Sequence, residues 1–128
     1  AQKEPGFNSG FKGVGISSGS YFAEIAQRSF SHSVLSRPFE SGNQDMVSFG
    51  TLAAETAYDL IGMNQEIVAR LILILCAAGD IRGLKNLSKS NQQLHKKVRL
   101  LAGRRKEDAP GLGEDIAHIA SAIRLRSL

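Results

Sequence analysis

The chain has 128 residues, of which 42% are hydrophobic, enough for one domain with a real core. Its single cysteine excludes an intrachain disulfide scaffold, and 6% aromatics with no tryptophan leave the core to aliphatic side chains. The formal net charge of +4 is a mild pointer to an anionic partner.

Residues 1–19, "AQKEPGFNSGFKGVGISSG", hold five glycines, one proline and several Ser and Asn. That composition predicts a flexible arm, with Phe7 and Phe11 free to dock on the core or on a partner. No charged start followed by an apolar run is visible there, so no signal peptide is expected. The remaining residues, 20–128, read as a single helical domain.

A helix is expected from Ser20, because Phe22, Ile25, Ala26 and Phe30 recur at helical spacing. It should stop before "SRPFESGN", which carries Pro38 and Gly42. Helical periodicity returns from Gln44 through Met46, Phe49, Leu52, Ala53, Ala57, Leu60 and Ile61. A break or kink is expected at Gly62 to Asn64. Ile67 to Ala78 is apolar nearly all round, the signature of a central helix. That run has 12 residues and contains Arg70, short of the roughly 20 a membrane span needs. Gly79 and Asp80 then read as a boundary, C-cap followed by N-cap.

The next segment carries the strongest asymmetry in the chain. Residues 82–106 hold nine Lys and Arg and no acid, whereas residues 1–81 hold five cations against eight acids. A basic helix is expected from here to about Ala102, ended by Gly103 and the linker "GRRKEDAPGLG". With Leu84 at heptad position a, the a positions are Leu84, Asn91 and Val98, and the d positions are Leu87, Leu94 and Leu101. The same pattern describes a partner seam or the inner face of an intramolecular bundle. The order is not that of a basic zipper, where the basic region precedes the seam. A last helix is expected from Glu114 to about Arg126, acids first and arginines last, as the helix dipole favours. Ile116, Ile119, Ala120 and Ile123 form its buried stripe. The fold class predicted is all-α, a small bundle of four to five helices behind a Gly-rich N-terminal arm.

Catalytic chemistry is not evident in the pattern. His32 and His95 have no Cys, Asp or Glu at zinc-site spacing, and His118 follows Glu114 by four residues, a helix-surface spacing. Cys76 reads as a small core residue. "GVGISSG" follows no expected strand and lacks the lysine of a phosphate loop. No metal, cofactor or enzyme activity is therefore expected.

The expected function is non-enzymatic binding of nucleic acid, DNA or RNA, mainly through backbone phosphates. The expected contacts are Arg82, Lys85, Lys89, Lys96, Lys97, Arg99, Arg104, Arg105 and Lys106. The alternative is a protein-interaction or self-assembling module. It would use the seam of Leu84, Leu87, Asn91, Leu94, Val98 and Leu101, as a homodimer or with an acidic protein meeting the basic stripe. Peripheral membrane binding ranks third, because the apolar side of this helix lacks Trp and Phe. The expected setting is intracellular, cytoplasmic or nucleoid/nuclear, with no membrane span.

Overall fold

The computed structural model describes residues 10–102 and 111–128. Four α-helices are found there: α1 (Lys12–Arg28), α2 (Gly50–Arg82), α3 (Lys89–Ala102) and α4 (Leu112–Arg124). Among the described residues there is no strand, only one isolated antiparallel bridge between Phe39 and Gln44. The expected small helical bundle is what the chain forms.

The core lies where α2, α3 and α4 meet. Ala69, Leu73 and Cys76 of α2 face Val98 and Ala102 of α3 and Ile116, Ile119 and Ala120 of α4. Val98 and Ile119 are fully buried at 0% exposure, each contributing about 1.5–3 kcal/mol of apolar transfer. The stripe expected on α4 is this face, with Ile123 packed at its edge. Small residues at 69, 102 and 120 let the three helices approach closely.

Helix α1 runs antiparallel to α2 and is held to it by polar clamps. Arg28 Nη2 donates to Asp59 Oδ2 at 2.7 Å, and Arg70 Nε donates to Ser17 Oγ at 3.3 Å. Arg70 is buried, bonded to Glu66 Oε2 at 3.2 Å, and its guanidinium lies 4.5 Å from the centre of the Tyr21 ring. Such a partnered, stacked guanidinium satisfies its charge inside the interface.

Several boundaries differ from the sequence reading, among them the start of α2, which is Gly50 and not Gln44. α1 starts at Lys12, eight residues ahead of Ser20, despite Gly13, Gly15 and Gly19. Packing of Val14 and the clamps to α2 outweigh the helix cost of about 1 kcal/mol per glycine. The part of the arm before Gly10, with Phe7, lies outside the described residues.

No break occurs at Gly62 to Asn64, since α2 runs unbroken for 33 residues, about 50 Å at 1.5 Å per residue. Gly62 serves the approach of α4 instead: a Cβ there would sit 3.3 Å from Arg124 Nη2. Arg124 Nε also donates to Gln65 Oε1 at 3.1 Å.

Gly79 and Asp80 are not a boundary either. Gly79 is buried inside α2, and the helix ends at Gly83, whose φ of 88° suits glycine. The basic segment is consequently two pieces: a 3-10 turn over Leu84–Asn86, then α3 from Lys89. Ser88 starts α3, its Oγ accepting the Asn91 N–H at 3.2 Å.

Helix α2 is, by length and composition, apolar enough to cross a membrane. In the bundle its apolar side chains pack against the other three helices over part of the surface. A second stripe, with Ile61, Val68, Leu71 and Leu75 at three-, four- and seven-residue spacing, stays exposed.

Candidate functional site

Two places concentrate polar groups that the core does not explain. The first is at the far end of α2. Asp80 Oδ1 lies 2.9 Å from His95 Nε2, and Arg99 Nη2 donates to Asp80 Oδ2 at 2.6 Å. His95 is only 5% exposed, and the Arg99 side chain is largely buried. One carboxylate therefore ties α2 to two successive turns of α3. Cys76 lies one turn below on α2. Burial pushes its thiol pKa up, Arg99 opposes that shift, and Asp80 adds to it. This is an inert thiol at neutral pH, in keeping with the reading of Cys76 as a core residue.

The second place is the connection between α1 and α2. Its centre is a tight turn closed by Phe39 and Gln44: the Phe39 N–H donates to the Gln44 carbonyl at 2.9 Å, and the Gln44 N–H returns to the Phe39 carbonyl at 3.3 Å. Within it Glu40 and Ser41 have φ of 52° and 55°, and Phe49 at the start of α2 has φ of 53°. Left-handed backbone costs a non-glycine residue about 1–2 kcal/mol. It persists where the surroundings hold it, often at functional sites. The holding contacts are visible. Phe39 and Phe49 pack edge to face at 6.1 Å, and Ser36 Oγ accepts the Val47 N–H at 2.7 Å. His32 Nε2 lies 3.1 Å from Thr56 Oγ1 on α2. The turn so fixed presents Asn43, Gln44 and Asp45 to the outside.

The residues singled out by sequence are scattered by comparison. Val98 is core, with Leu94 packed against it, while Leu84 and Leu87 are half-buried on the 3-10 turn and its edge. Asn91 is exposed and Leu101 is 40% exposed. The seam is thus not one straight face, because Gly83 and Ser88 interrupt the helix. Its best-buried members serve the intramolecular bundle. Among the cations, Arg82, Lys85, Lys89, Lys96 and Lys97 are exposed. Arg99 is turned inward onto Asp80. Arg104, Arg105 and Lys106 lie outside the described residues.

The sequence reading missed the two places just described. Asp80 and His95 are 15 residues apart, so no local spacing announces the pair. The sequence reading put a break at "SRPFESGN" and started the next helix from Gln44, whereas Gln44 closes a turn and α2 starts at Gly50.

Comparison with known proteins shows the family of the chain. The sequence pattern of the family described as "Aromatic amino acid lyase" matches residues 1–100. The chain belongs to the aromatic amino acid lyase family. Both polar places lie inside the matched span. A tyrosine ammonia-lyase of Cereibacter sphaeroides is 33% identical over 125 residues, covering 95% of this chain and 24% of that protein. A histidine ammonia-lyase of Clostridium tetani is 30% identical over 99 residues, covering 76% of this chain and 19% of that protein. A crystal structure of a tyrosine aminomutase superposes with a TM-score of 0.86 at 30% identity, over 98% of this chain and 24% of that one. The chain thus spans about a quarter, or less, of the length of the relatives it matches.

Membership of this lyase family overturns the expected function. The chain belongs with enzymes, so a non-enzymatic nucleic-acid module is the wrong reading. The expected partners, nucleic acid or an acidic protein, and the homodimer built on the seam fall with it. The charge block was misleading because cations on exposed helix faces need no partner, and Arg99 already has an internal one. An intracellular setting agrees with the ammonia-lyase relatives, whereas the nucleoid or nuclear alternative loses its ground.

Proposed function

We infer that this chain is part of an enzyme that eliminates ammonia from an aromatic amino acid, in the cytoplasm. The observation that carries the reading is the match of the lyase family across residues 1–100, seconded by the two ammonia-lyase relatives. The reaction breaks the Cα–N bond, removes a proton from Cβ, and yields an arylacrylate and ammonium. A substrate with an aromatic ring and a carboxylate fits the family description. The relatives named for tyrosine and for histidine leave the ring open.

The contribution proposed for this chain is the turn 39–49. Its backbone strain is held by the Phe39–Phe49 contact, and it offers the Gln44 amide and Asp45 carboxylate from a fixed position. An amide that accepts and donates suits orienting a substrate amino or carboxylate group. The exposed stripe of Ile61, Val68 and Leu71 supports the same reading, since a helix face of that kind is stable when covered by more of a lyase.

The test is ammonia release from tyrosine and from histidine by the chain, alone and mixed with the part of the Cereibacter sphaeroides enzyme that it does not match. Arylacrylate and ammonium in equal amounts, lost in Gln44→Ala, are expected in the mixed arm. Their absence from both arms with both substrates removes the reading.

A further inference from the structure

A groove of about 500 Å³ opens beside the Asp80 cluster, outside the turn assigned to catalysis. That volume is in the range of small-molecule sites. Its walls include Leu75 and Leu87, and Gly79 forms part of its floor. A Cβ on Gly79 would meet Leu84, Leu87 and His95 at 3.4–3.6 Å, so the missing side chain keeps the floor low. Its polar lining includes Arg82, Asn91 and His95.

Charge at this groove is one-sided. Asp80 lies behind it, already bonded to His95 and Arg99. Arg82 is exposed and forms no ion pair among the described residues. Asn91 sits in the first turn of α3, where the positive end of the helix dipole favours an anion. An apolar groove with a cationic and amide-bearing side calls for a ligand with one apolar body and one anionic group.

We propose that the groove between the end of α2 and the start of α3 is a second binding site, taking an aryl carboxylate. The aromatic body rests on the lyase reading, because an arylacrylate is the product of that chemistry; the charge and the groove do not depend on it. Ligand bound there would touch both helices that Asp80 joins, away from the turn 39–49.

The experiment is titration of the isotope-labelled chain with 3-phenylpropionate, 3-phenylpropanol and octanoate, followed by amide NMR shifts. Shifts from 3-phenylpropionate centred on Gly79, Leu87 and His95 are expected. Arg82→Gln and the uncharged alcohol should each weaken binding about fivefold, the scale of one partly exposed charge pair. Asn91→Asp, which suits the first turn of a helix and so leaves the fold in place, should weaken it at least as much. Shifts that are absent or confined to residues 39–49 overturn the site. Equal affinity for the acid and the alcohol overturns the anionic requirement, and octanoate binding as tightly as 3-phenylpropionate overturns the aromatic one. Binding at the groove without ammonia release in the earlier assay removes the lyase reading and leaves the groove. Release without binding does the reverse.

Discussion

Asp80 and Arg99 meet at 2.6 Å across the junction of α2 and α3, with His95 on the other carboxylate oxygen. The pair closes a loop that the chain leaves open between Gly83 and Ser88. α3 carries exposed cations, and its helical face alone does not fix its angle to α2. A half-buried carboxylate bonded to side chains one turn apart does.

Removing that carboxylate should be costly. Asp80→Asn removes a carboxylate charge that both the largely buried Arg99 guanidinium and His95 contact, so a loss of about 2–3 kcal/mol is expected, at the lower edge for breaking a buried pair because Asp80 keeps some solvent contact. Urea unfolding measures it. An unchanged midpoint would mean that water replaces the carboxylate freely.

The centre of the bundle offers a sharper contrast. Ile119 is 0% exposed and Leu100 is 87% exposed. Ile119→Ala should cost about 3 kcal/mol, the transfer and cavity terms together. Leu100→Ala should stay within about 0.5 kcal/mol. Near-equal effects on the thermal midpoint would place the core elsewhere.

Relief of backbone strain in the turn is the third expectation. Ser41 has φ of 55° and glycine reaches that region without penalty. Ser41→Gly should stabilise the fold by about 1 kcal/mol. If the turn serves catalysis as proposed, ammonia release should fall in the same variant, because the strained geometry is then needed. A stabilised variant with full activity would separate the strain from the function.

Cys76 gives a pH test. Burial raises its thiol pKa above the ordinary value of 9.0. In the unfolded chain the thiol ionises near that ordinary value, while the folded protein still holds its proton. The Cys76 contribution to stability is thus fully present below pH 9.0 and is lost as pH rises from there through the folded value. Cys76→Ala should flatten that decline. A wild-type curve that rises with pH in this window contradicts the burial argument.

How much of this was legible in the sequence follows from where each signal lives. The α4 stripe was readable because Ile116, Ile119 and Ala120 repeat at helical period with acids first and arginine last. The α2 break at Gly62 and the α2 end at Gly79 were misread for one shared reason. A glycine that admits a neighbouring helix looks, in one dimension, the same as a glycine that ends one. Only Arg124 against Gly62, and Leu84 and Leu87 against Gly79, distinguish the cases. The glycines of α1 were read as an arm because local propensity was visible and the clamps Ser17–Arg70 and Arg28–Asp59 were not. The heptad count ran through Gly83 because spacing survives in sequence when the helix itself does not.

The candidate site was the least legible part, for a related reason. In the turn 39–49 the residues with φ of 52–55°, Glu40, Ser41 and Phe49, are not glycines, so composition does not announce the backbone there. The basic block, by contrast, was conspicuous, and among its described residues Arg82, Lys85, Lys89, Lys96 and Lys97 are exposed.

That surface supports the last prediction. Lys89 is the first residue of α3, and the first turn of this helix holds no acid. A cation there opposes the positive end of the helix dipole, while an acid complements it. Lys89→Glu should therefore raise stability by about 0.5 kcal/mol, measured as a higher urea midpoint with unchanged slope. Lys97→Glu, exposed in the middle of the same helix, should shift it by less. If Lys89→Glu destabilises instead, Lys89 makes a contact within this fold that outweighs the dipole, and the basic face has a role beyond solvation.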